Sequence, residues 1–373
     1  MNNCWLIHPN LVFSRTNRRS PEASLKELKS LAKAINFNLL FAEIVRVSNI
    51  KVGTYFGKGK IEDIKLKIEN TNNQDCILII NTTLTPIQQR NLERSWNTKV
   101  LDRTALILEI FGARAVTKEG SLQVELAHIS WQKTRLVRSW THLERQRGGK
   151  GFLGGPGELQ IELDRRYISR RIKKIKLDLN KIRNARKLQR NKRQNLFPLV
   201  SLIGYTNSGK STLFNKITGS KEFAKDMLFA TLDPKHRRVN ISQKNDFILS
   251  DTVGFLSNLP TELIESFKAT LDEIIYADLI LHVRDISHKD YNSQNIDVLE
   301  IVSGLFGYDN KQIPDNFIEV INKIDNINFN GSNYKNTKNK VYISAKTGKG
   351  IKTLINLIIS SINNKFTNNK KYY

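Results

Sequence analysis

The nine residues from Gly204 to Thr212 are the part of the sequence best suited to bind a charged ligand. They read G-x-x-x-x-G-K-S-T between a strand-like apolar run that ends at Ile203 and a helix-like segment that begins at Leu213. In this context the backbone turns back at the glycines, and successive N–H groups at a helix N-terminus face phosphate oxygens. The pattern predicts a nucleoside-triphosphate site. Its candidate residues are Gly204, Tyr205, Thr206, Asn207, Ser208, Gly209, Lys210, Ser211 and Thr212.

Two side chains of this loop have predicted roles of their own. Lys210 would reach the β- and γ-phosphates, and the Ser211 hydroxyl would bind Mg²⁺. The alternative is a glycine turn between strand and helix that matches the pattern by accident. That alternative loses weight because partner motifs follow downstream in the expected order.

The first partner motifs are those that sense the γ-phosphate and the metal. A strand-like run from Phe247 to Asp251 leads into D-x-x-G. Asp251 would hold Mg²⁺ through a water molecule, the Gly254 N–H would meet the γ-phosphate, and Thr231 would be a second hydroxyl ligand to Mg²⁺. Phe255 follows, where a glutamine often orients the attacking water, so slow intrinsic hydrolysis completed by a partner is expected and no catalytic base is assigned. The candidate switch residues are Phe229, Ala230, Thr231, Leu232, Asp233, Asp251, Thr252, Val253 and Gly254.

A further pair of motifs is suited to read a guanine base. The strand-like run 318–321 leads into N-K-x-D, where the Asp325 carboxylate can accept from the ring N–H and the amino group of guanine together. Adenine would leave this carboxylate buried and unpaired, which disfavours adenine. The segment 344–346 would add backbone N–H groups to the guanine carbonyl. The candidate base-binding residues are Asn322, Lys323, Ile324, Asp325, Ser344, Ala345 and Lys346.

Length and periodicity indicate several domains of the α/β class. The chain has 373 residues, more than one average domain. Short apolar strands alternate with helical segments near the N-terminus, which predicts a small parallel α/β subdomain. From residue 198 onward the pattern predicts a P-loop GTPase domain, a mostly parallel sheet with helices on both faces. The predicted division is an α/β subdomain at 1–103, a helical hairpin at 104–195, a GTP-binding domain at 198–366 and a basic polar tail at 367–373.

The predicted hairpin consists of two apolar seams with alternating spacings of four and three, typical of packed helices, and Lys133 interrupts one position of the first seam. The first seam comprises Leu122, Leu126, Ile129, Leu136, Trp140 and Leu143, and the second comprises Ile168, Ile172, Ile175, Leu179 and Ile182. Between them lies the glycine-rich segment 148–157, which we expect to be non-helical and to reverse the chain. The result is a predicted antiparallel hairpin with a glycine-rich tip.

Positive charge is concentrated on the second half of this hairpin. The chain has 60 Lys and Arg against 35 Asp and Glu, and residues 164–193 alone hold fourteen Lys or Arg against two Asp. A face of one sign repels itself and favours a polyanionic partner such as folded RNA. The alternative, a solvated coiled-coil face, normally mixes both signs. At the tip, Phe152 is equally compatible with stacking on an RNA base and with packing against the end of the hairpin.

Cysteine usage and hydropathy bear on the compartment. Cys4 and Cys76 are far apart in the sequence and form no metal or disulfide framework, which favours a reducing environment. The N-terminus lacks the order of a signal peptide, and no apolar run is long enough to span a bilayer. A cytoplasmic protein is expected.

With these residues in view, the chain resembles the HflX family of bacterial ribosome-associated GTPases over nearly its whole length. Besides the nucleotide motifs, the matching stretches are 56–60 (FGKGK), 85–93 (TPIQQRNLE), 102–104 (DRT), 122–127 (LQVELA), 155–158 (GPGE), 164–166 (DRR) and 229–234 (FATLDP). The resemblance implies a GTPase that binds the large ribosomal subunit and its RNA near the peptidyl-transferase region and separates stalled ribosomes into subunits. It also implies weak ATP use by the N-terminal region, which no motif here supports independently.

Two positions depart from the family pattern, and one other hypothesis stays open. Lys235 and Leu159 stand where the family usually has threonine, which bears on switch ordering and on a tip contact respectively. The other hypothesis is a scaffold whose heptads dimerise two chains or bind an acidic membrane surface, with GTP as the assembly switch. A hairpin that satisfies its own seam makes a monomer the expected state away from the ribosome.

Overall fold

The computed structural model divides into two compact units. Residues 1–113, 121–181 and 260–266 belong to the N-terminal unit, and residues 114–120, 182–259 and 267–373 belong to the C-terminal unit. The residues that the structure describes are 3–12, 19–70, 76–146, 156–194, 197–220, 228–229, 234–241, 245–307, 314–327 and 335–369.

The N-terminal unit contains a four-stranded sheet with helical connections. Its strands are β1 (Asn3–Leu11), β2 (Asn38–Val47), β3 (Cys76–Ile80) and β4 (Val100–Asp102). Its first helices are α1 (Pro21–Ala34), α2 (Lys58–Glu69), α3 (Pro86–Trp96) and α4 (Arg103–Arg114). The strands run parallel in the order β2-β1-β3-β4. The prediction of a small parallel α/β fold is confirmed.

Two helices of this sheet begin as their capping residues dictate. The Ser20 side chain accepts the Ala23 N–H at 3.2 Å, with proline at the first helical position of α1. Thr85 and Gln88 form a reciprocal capping box at the start of α3. α4 begins at Arg103 and is largely buried, so the predicted subdomain boundary at 103/104 falls inside the first turn of a packed helix.

The predicted hairpin helices are present as α5 (Lys118–Gln146) and α6 (Pro156–Gln194). Their ion pairs run in antiparallel order, because Glu125 pairs with Arg171 at 2.5 Å and Glu119 pairs with Arg186 at 2.6 Å. The prediction that all of 148–157 is non-helical was wrong at residues 156 and 157. Proline fits the first turn of a helix, where its missing N–H has no partner to lose. Residues 148–155 of the predicted tip, Phe152 among them, lie outside the described residues.

The C-terminal half of the chain is built on a six-stranded sheet. Its strands are β5 (Leu199–Ile203), β6 (Lys235–Val239), β7 (Phe247–Asp251), β8 (Leu279–Asp285), β9 (Phe317–Asn322) and β10 (Lys340–Tyr342). The helices of this half are α7 (Lys210–Thr218), α9 (Lys268–Ile275), α10 (Tyr291–Phe306) and α11 (Ile351–Asn369), and the short helix α8 (Thr261–Ser266) belongs to the N-terminal unit. α11 extends to Asn369 and therefore includes three residues of the predicted tail.

The strand order of this sheet, β10-β9-β8-β5-β7-β6, brings the ends of β5, β7, β8 and β9 to one edge. All pairs are parallel except β6 with β7, which lies at the edge of the sheet. β5 and β8 are buried along their whole length, as expected of central parallel strands, although β8 also carries His282, Arg284 and Asp285. Ligands of such sheets bind beyond the carboxyl ends of the strands. Within the described ranges, no helix has the length and apolar character needed to cross a membrane.

Thr85→Ala should lower the free energy of unfolding of the N-terminal unit by about 1 kcal/mol, because the first turn of α3 loses the acceptor of the Gln88 N–H. Urea unfolding followed by tryptophan fluorescence measures this, since all four tryptophans lie between residues 5 and 140. Thr85→Ser keeps the hydroxyl and should unfold close to the wild type. Equal losses in the two variants would rule out the capping explanation.

Candidate nucleotide-binding site

The loop between β5 and α7 lies against the ends of two neighbouring strands. Gly204 has φ 149°, and a Cβ atom there would lie 2.2 Å from the Val283 carbonyl oxygen on β8. Gly209 has φ 94°, and a Cβ atom there would lie 2.3 Å from Asn322 Nδ2 on β9. Only glycine fits at either position. The two glycines of G-x-x-x-x-G are therefore the places where the loop backbone packs directly against β8 and against Asn322.

Lys210, the first residue of α7, is buried beneath this loop. Its Nζ donates to the Gly204 carbonyl at 3.1 Å and to the Tyr205 carbonyl at 2.8 Å. Burial lowers the pKa of Lys210 to about 8, an effect that Asp251 opposes and Lys323 increases. A buried ammonium whose hydrogen bonds to the described residues are to neutral carbonyl groups is well placed to gain from an added phosphate charge.

Two loop hydroxyls also point to a polar ligand. The side-chain oxygens of Thr206 and Ser208 are buried and have no hydrogen-bond partner among the described residues. Buried hydroxyls are normally paired, so groups of this kind indicate a bound partner such as a phosphate or water.

The residues directly after the D-x-x-G segment are hydrogen-bonded to the phosphate loop. The Phe255 N–H donates to the Gly204 carbonyl at 3.0 Å, and the Thr206 N–H donates to the Phe255 carbonyl at 2.7 Å. The Ser257 N–H donates to the Tyr205 hydroxyl at 2.9 Å. The Thr206 N–H is therefore engaged within the protein. The Phe255 side chain is 2% exposed, so it cannot orient a water molecule.

Two of the three residues predicted to lie near Mg²⁺ are brought together. The Ser211 hydroxyl donates to Asp251 Oδ2 at 2.7 Å, and Asp251 is buried at the end of β7. A hydroxyl and a carboxylate are hard oxygen donors of the kind that Mg²⁺ prefers, so the residues present fit this ion.

Only part of the predicted first switch lies in the described chain. Phe229 is buried and has a left-handed φ of 55°. Ala230, Thr231, Leu232 and Asp233 lie outside the described residues, so the predicted second hydroxyl ligand, Thr231, stays a prediction. Lys235, where the family pattern has threonine, opens β6 and is exposed.

In the base-reading segment, Asn322 joins three parts of the site. Its Nδ2 donates to the Ser208 carbonyl at 2.9 Å, and its Oδ1 accepts the Ala345 N–H at 2.9 Å. The Ser344 N–H donates to the Lys349 carbonyl at 2.9 Å. Two of the three N–H groups expected to bind the guanine carbonyl are therefore already engaged. In this arrangement the Lys346 N–H is the remaining candidate.

Asp325 lies in a short 3-10 turn, Ile324–Asn326, directly after β9. Its side chain is exposed, whereas the sequence argument treated it as buried. The penalty against adenine therefore applies only once a base covers the carboxylate.

Sequence reasoning also missed two residues of β8 next to the loop. Asp285 forms an ion pair with Lys323 at 2.7 Å. His282 is buried, and burial, with Arg284 and Lys210 nearby, lowers its pKa to about 3, so this imidazole stays neutral and is a poor proton acceptor. Asp285 is the last residue of the apolar run that forms β8. An acidic residue at the end of a predicted strand is the one sequence signal that could have identified it.

Comparison with known proteins identifies the family. GTPase HflX of Magnetococcus marinus is 44% identical to this chain over 345 residues, which are 91% of this chain and 78% of that protein. The chain belongs to the HflX family. GTPase HflX of Escherichia coli is 45% identical over 305 residues, or 80% of this chain and 70% of that protein. Three family models match in order, GTP-binding GTPase N-terminal at 22–112, GTP-binding GTPase Middle Region at 114–193 and 50S ribosome-binding GTPase at 199–323.

A solved structure supports the fold of this HflX-family chain. The SsGBP and GDP complex has 23% sequence identity and a TM-score of 0.50, and the match covers 98% of this chain and 99% of SsGBP. The predicted fold class, helical hairpin followed by a P-loop GTPase domain, is confirmed. The relatives and the domain models also show that the chain is a GTP-hydrolysing enzyme, as the motif order predicts.

GTP affinity should fall about tenfold between pH 7 and pH 9, because Lys210 loses its proton near pH 8 while bound phosphate keeps it protonated to higher pH. The sign follows from a pKa that is lowered in the free protein and raised by the ligand. Equilibrium binding of a fluorescent GTP analogue measures the dependence. Lys210→Arg keeps its charge throughout and serves as the baseline. If GTP affinity changed with pH equally in the wild type and in Lys210→Arg, the ionisation of Lys210 would have no role in binding.

Proposed function

We propose that this HflX-family GTPase binds the large ribosomal subunit through its RNA and uses GTP state to associate with, and split, stalled or idle ribosomes. Hydrolysis of GTP to GDP and phosphate is stimulated by the ribosome, and the protein acts in the cytoplasm. The observation that carries the proposal is the exposed cationic face of α6. The matching of a model described as a 50S ribosome-binding GTPase to residues 199–323 supports the same partner.

The exposed face of α6 carries mostly positive charge. Between residues 162 and 188 nine basic side chains are exposed, against two acidic ones, Glu162 and Asp164. The nine are Arg165, Arg166, Arg170, Lys173, Lys174, Lys176, Lys181, Arg183 and Lys187. Such a row of cations gains free energy by displacing counterions from an RNA backbone. Ile175 of the apolar seam is 1% exposed, so the seam faces inward. Three of the nine cations pair with carboxylates of the chain, Arg166 with Glu162, Lys181 with Asp178 and Arg183 with Asp272, and the other six face solvent, where a partner can reach them.

Within the C-terminal unit, the end of α6 is held by two ion pairs, one of them to α9, which follows the D-x-x-G segment. Arg183 pairs with the buried Asp272 of α9 at 2.6 Å, and Arg186 pairs with the buried Glu119 at 2.6 Å. Breaking a pair with a buried carboxylate is costly, so α6 should follow α9 when α9 moves. The segment 251–254 senses the γ-phosphate in our proposal, which gives a route from nucleotide state to the cationic helix.

At the nucleotide site, the phosphate loop would hold GTP and GDP, and Asn322 to Asp325 would select guanine. Mg²⁺ fits the oxygen donors present and would be held by Ser211 and Thr231, with Asp251 acting through water. When bound, the ion neutralises the negative charge that builds up on the β- and γ-phosphate oxygens. Phe255 supplies no group to orient water, so we expect the ribosome to complete the hydrolytic site.

The scaffold alternative is not favoured by any observation. Ile175 of the α6 seam is buried within the chain, and α5 and α6 are joined by their own ion pairs. A seam satisfied in this way offers little to a second copy. A monomeric state away from the ribosome stays a prediction. ATP binding by the N-terminal region also stays a prediction, and Lys58 and Lys60 of the FGKGK stretch lie in the exposed first turn of α2.

Asp325→Asn should shift base preference from guanine towards xanthine by about 100-fold or more, because an amide can donate to the second carbonyl of xanthine and no longer pairs with the guanine amino group. Competition of GTP and xanthosine triphosphate for the site measures the shift. Asp315→Asn removes an exposed carboxylate of the same unit and should change neither affinity. An unaltered preference in Asp325→Asn would remove this residue from base recognition.

Binding to purified large ribosomal subunits should depend on both nucleotide and salt. Sedimentation with a non-hydrolysable GTP analogue should show tighter association than with GDP. Lys173→Ala/Lys174→Ala/Lys176→Ala should weaken association and lower the slope of log K against log salt by about 2 to 3, because each lost phosphate contact removes roughly one released counterion.

The matched control is Lys335→Ala/Lys338→Ala/Lys352→Ala, which removes three exposed lysines of the C-terminal unit outside α6. It should keep the wild-type slope. Equal association in GDP and in the GTP analogue would overturn the nucleotide-controlled part of the proposal, and equal slopes for the two triple variants would overturn the role of α6.

A further inference from the structure

Asp285, the last residue of β8, is held rigidly beside the base-reading segment. Its Oδ1 accepts the Ser287 N–H at 3.0 Å and the Ser287 hydroxyl at 2.6 Å. Its Oδ2 contacts Lys323 Nζ at 2.7 Å, and the side chains are only 11% and 25% exposed. A carboxylate fixed by two further hydrogen bonds loses little additional freedom on pairing, so this pair is stronger than a typical surface ion pair.

Lys323 needs such support because its backbone is in an uncommon conformation. Its φ of 65° and ψ of 34° are left-handed, which non-glycine residues rarely adopt. The turn takes the chain from β9 into the 3-10 turn that carries Asp325, and the Asn326 N–H donates to the Lys323 carbonyl at 3.0 Å. Conformations of this kind persist where the surrounding contacts determine them. The direction of Asp325 therefore depends on how Lys323 is held.

The segment is tied to the protein on both sides of Lys323. The Asn322 carbonyl accepts the Ile286 N–H at 3.2 Å, and the Ile324 N–H donates to the Ile343 carbonyl at 3.3 Å. These bonds fix the main chain, but they leave the Lys323 ammonium to be placed by Asp285. That ammonium is close enough to Lys210 to lower its pKa, so an acidic partner also offsets repulsion between the two cations.

We propose that Asp285 is a positioning residue for guanine recognition, which through Lys323 holds the left-handed turn that presents Asp325 to the base. The inference rests on the proposed base-reading role of Asp325. Asp285 itself touches neither base nor phosphate in this mechanism. Its effect is on how well the Asp325 carboxylate aligns with the two guanine donors.

The test is Asp285→Asn, measured in the full chain with GDP and with inosine diphosphate, which lacks the exocyclic amino group. GDP affinity should fall about tenfold, the expected size for a lost charge-assisted hydrogen bond. Inosine diphosphate should lose less, because it makes only one of the two bonds to Asp325. The preference for GDP over inosine diphosphate therefore shrinks. In turnover assays KM for GTP should rise while kcat at saturating GTP stays near the wild-type value.

Two further variants keep the test decisive. In a Lys323→Met background, Asp285→Asn should cause no additional loss, because its effect passes through the ammonium. Ser287→Ala loosens the carboxylate without removing charge and should give a smaller change in the same direction. Asp290→Asn, an acidic residue a few positions further along the same connection, is the matched control and should leave both affinities unchanged.

An unchanged preference for GDP over inosine diphosphate, or an equal loss in the Lys323→Met background, would overturn the inference. A merely structural role would lower the melting temperature and the active fraction but leave that preference intact. Asp325→Asn is measured alongside. Loss of base preference in Asp325→Asn without any change in Asp285→Asn refutes only the role of Asp285, whereas no change in either variant refutes base reading by this segment.

Discussion

The close approach of the phosphate loop to the ends of β8 and β9 is the constraint on which the rest of the site depends. A side chain at Gly204 or Gly209 would overlap a carbonyl of β8 or the amide of Asn322. Because the loop lies directly on these strand ends, Asn322 reaches the Ser208 carbonyl and Lys210 lies beneath the loop. The positions proposed for phosphate, base and metal all lie along this one sheet edge.

This packing has an electrostatic consequence for catalysis. Lys210 is a buried cation whose contacts within the loop are neutral carbonyl groups, and the loop hydroxyls of Thr206 and Ser208 lack partners among the described residues. The protein has removed these groups from water before the substrate arrives, so a phosphate supplies the missing charge and acceptors. Preorganisation of this kind stabilises the transition state of phosphoryl transfer without a covalent step.

The sequence was sufficient to predict those features that depend on residues close together in the chain. The helical period of the α6 seam and the strand that ends at Asp251 follow from neighbouring residues alone, and the structure has a helix and a strand there as predicted. The Thr85 cap of α3 is equally a matter of neighbouring residues. The glycine-rich tip was assigned two residues too many because the tolerance of proline for a helix start outweighs the flexibility of the adjacent glycine.

Contacts between distant residues could not be predicted in the same way. Asp285 and Lys323, or Asn322 and Ala345, meet only because parallel strands bring their carboxyl ends to one edge, and no periodicity marks such pairs. Strand order decides them, and strand order is a property of the whole fold. The exposure of Asp325 was missed for the same reason, since burial at a strand end depends on which loops cover it.

The basic residues of α6 include some that pair with buried carboxylates and others that are exposed. Arg183 and Arg186 lie on the same helix as the exposed lysines, yet each pairs with a buried carboxylate of the C-terminal unit. Lys173, Lys174 and Lys176 are exposed on that helix, where their mutual repulsion costs stability. A helix that is anchored at one end by ion pairs with buried carboxylates can tolerate such repulsion along its length. Nucleotide-dependent movement of the anchor would then reposition a cationic surface that already exists, and no new surface has to form.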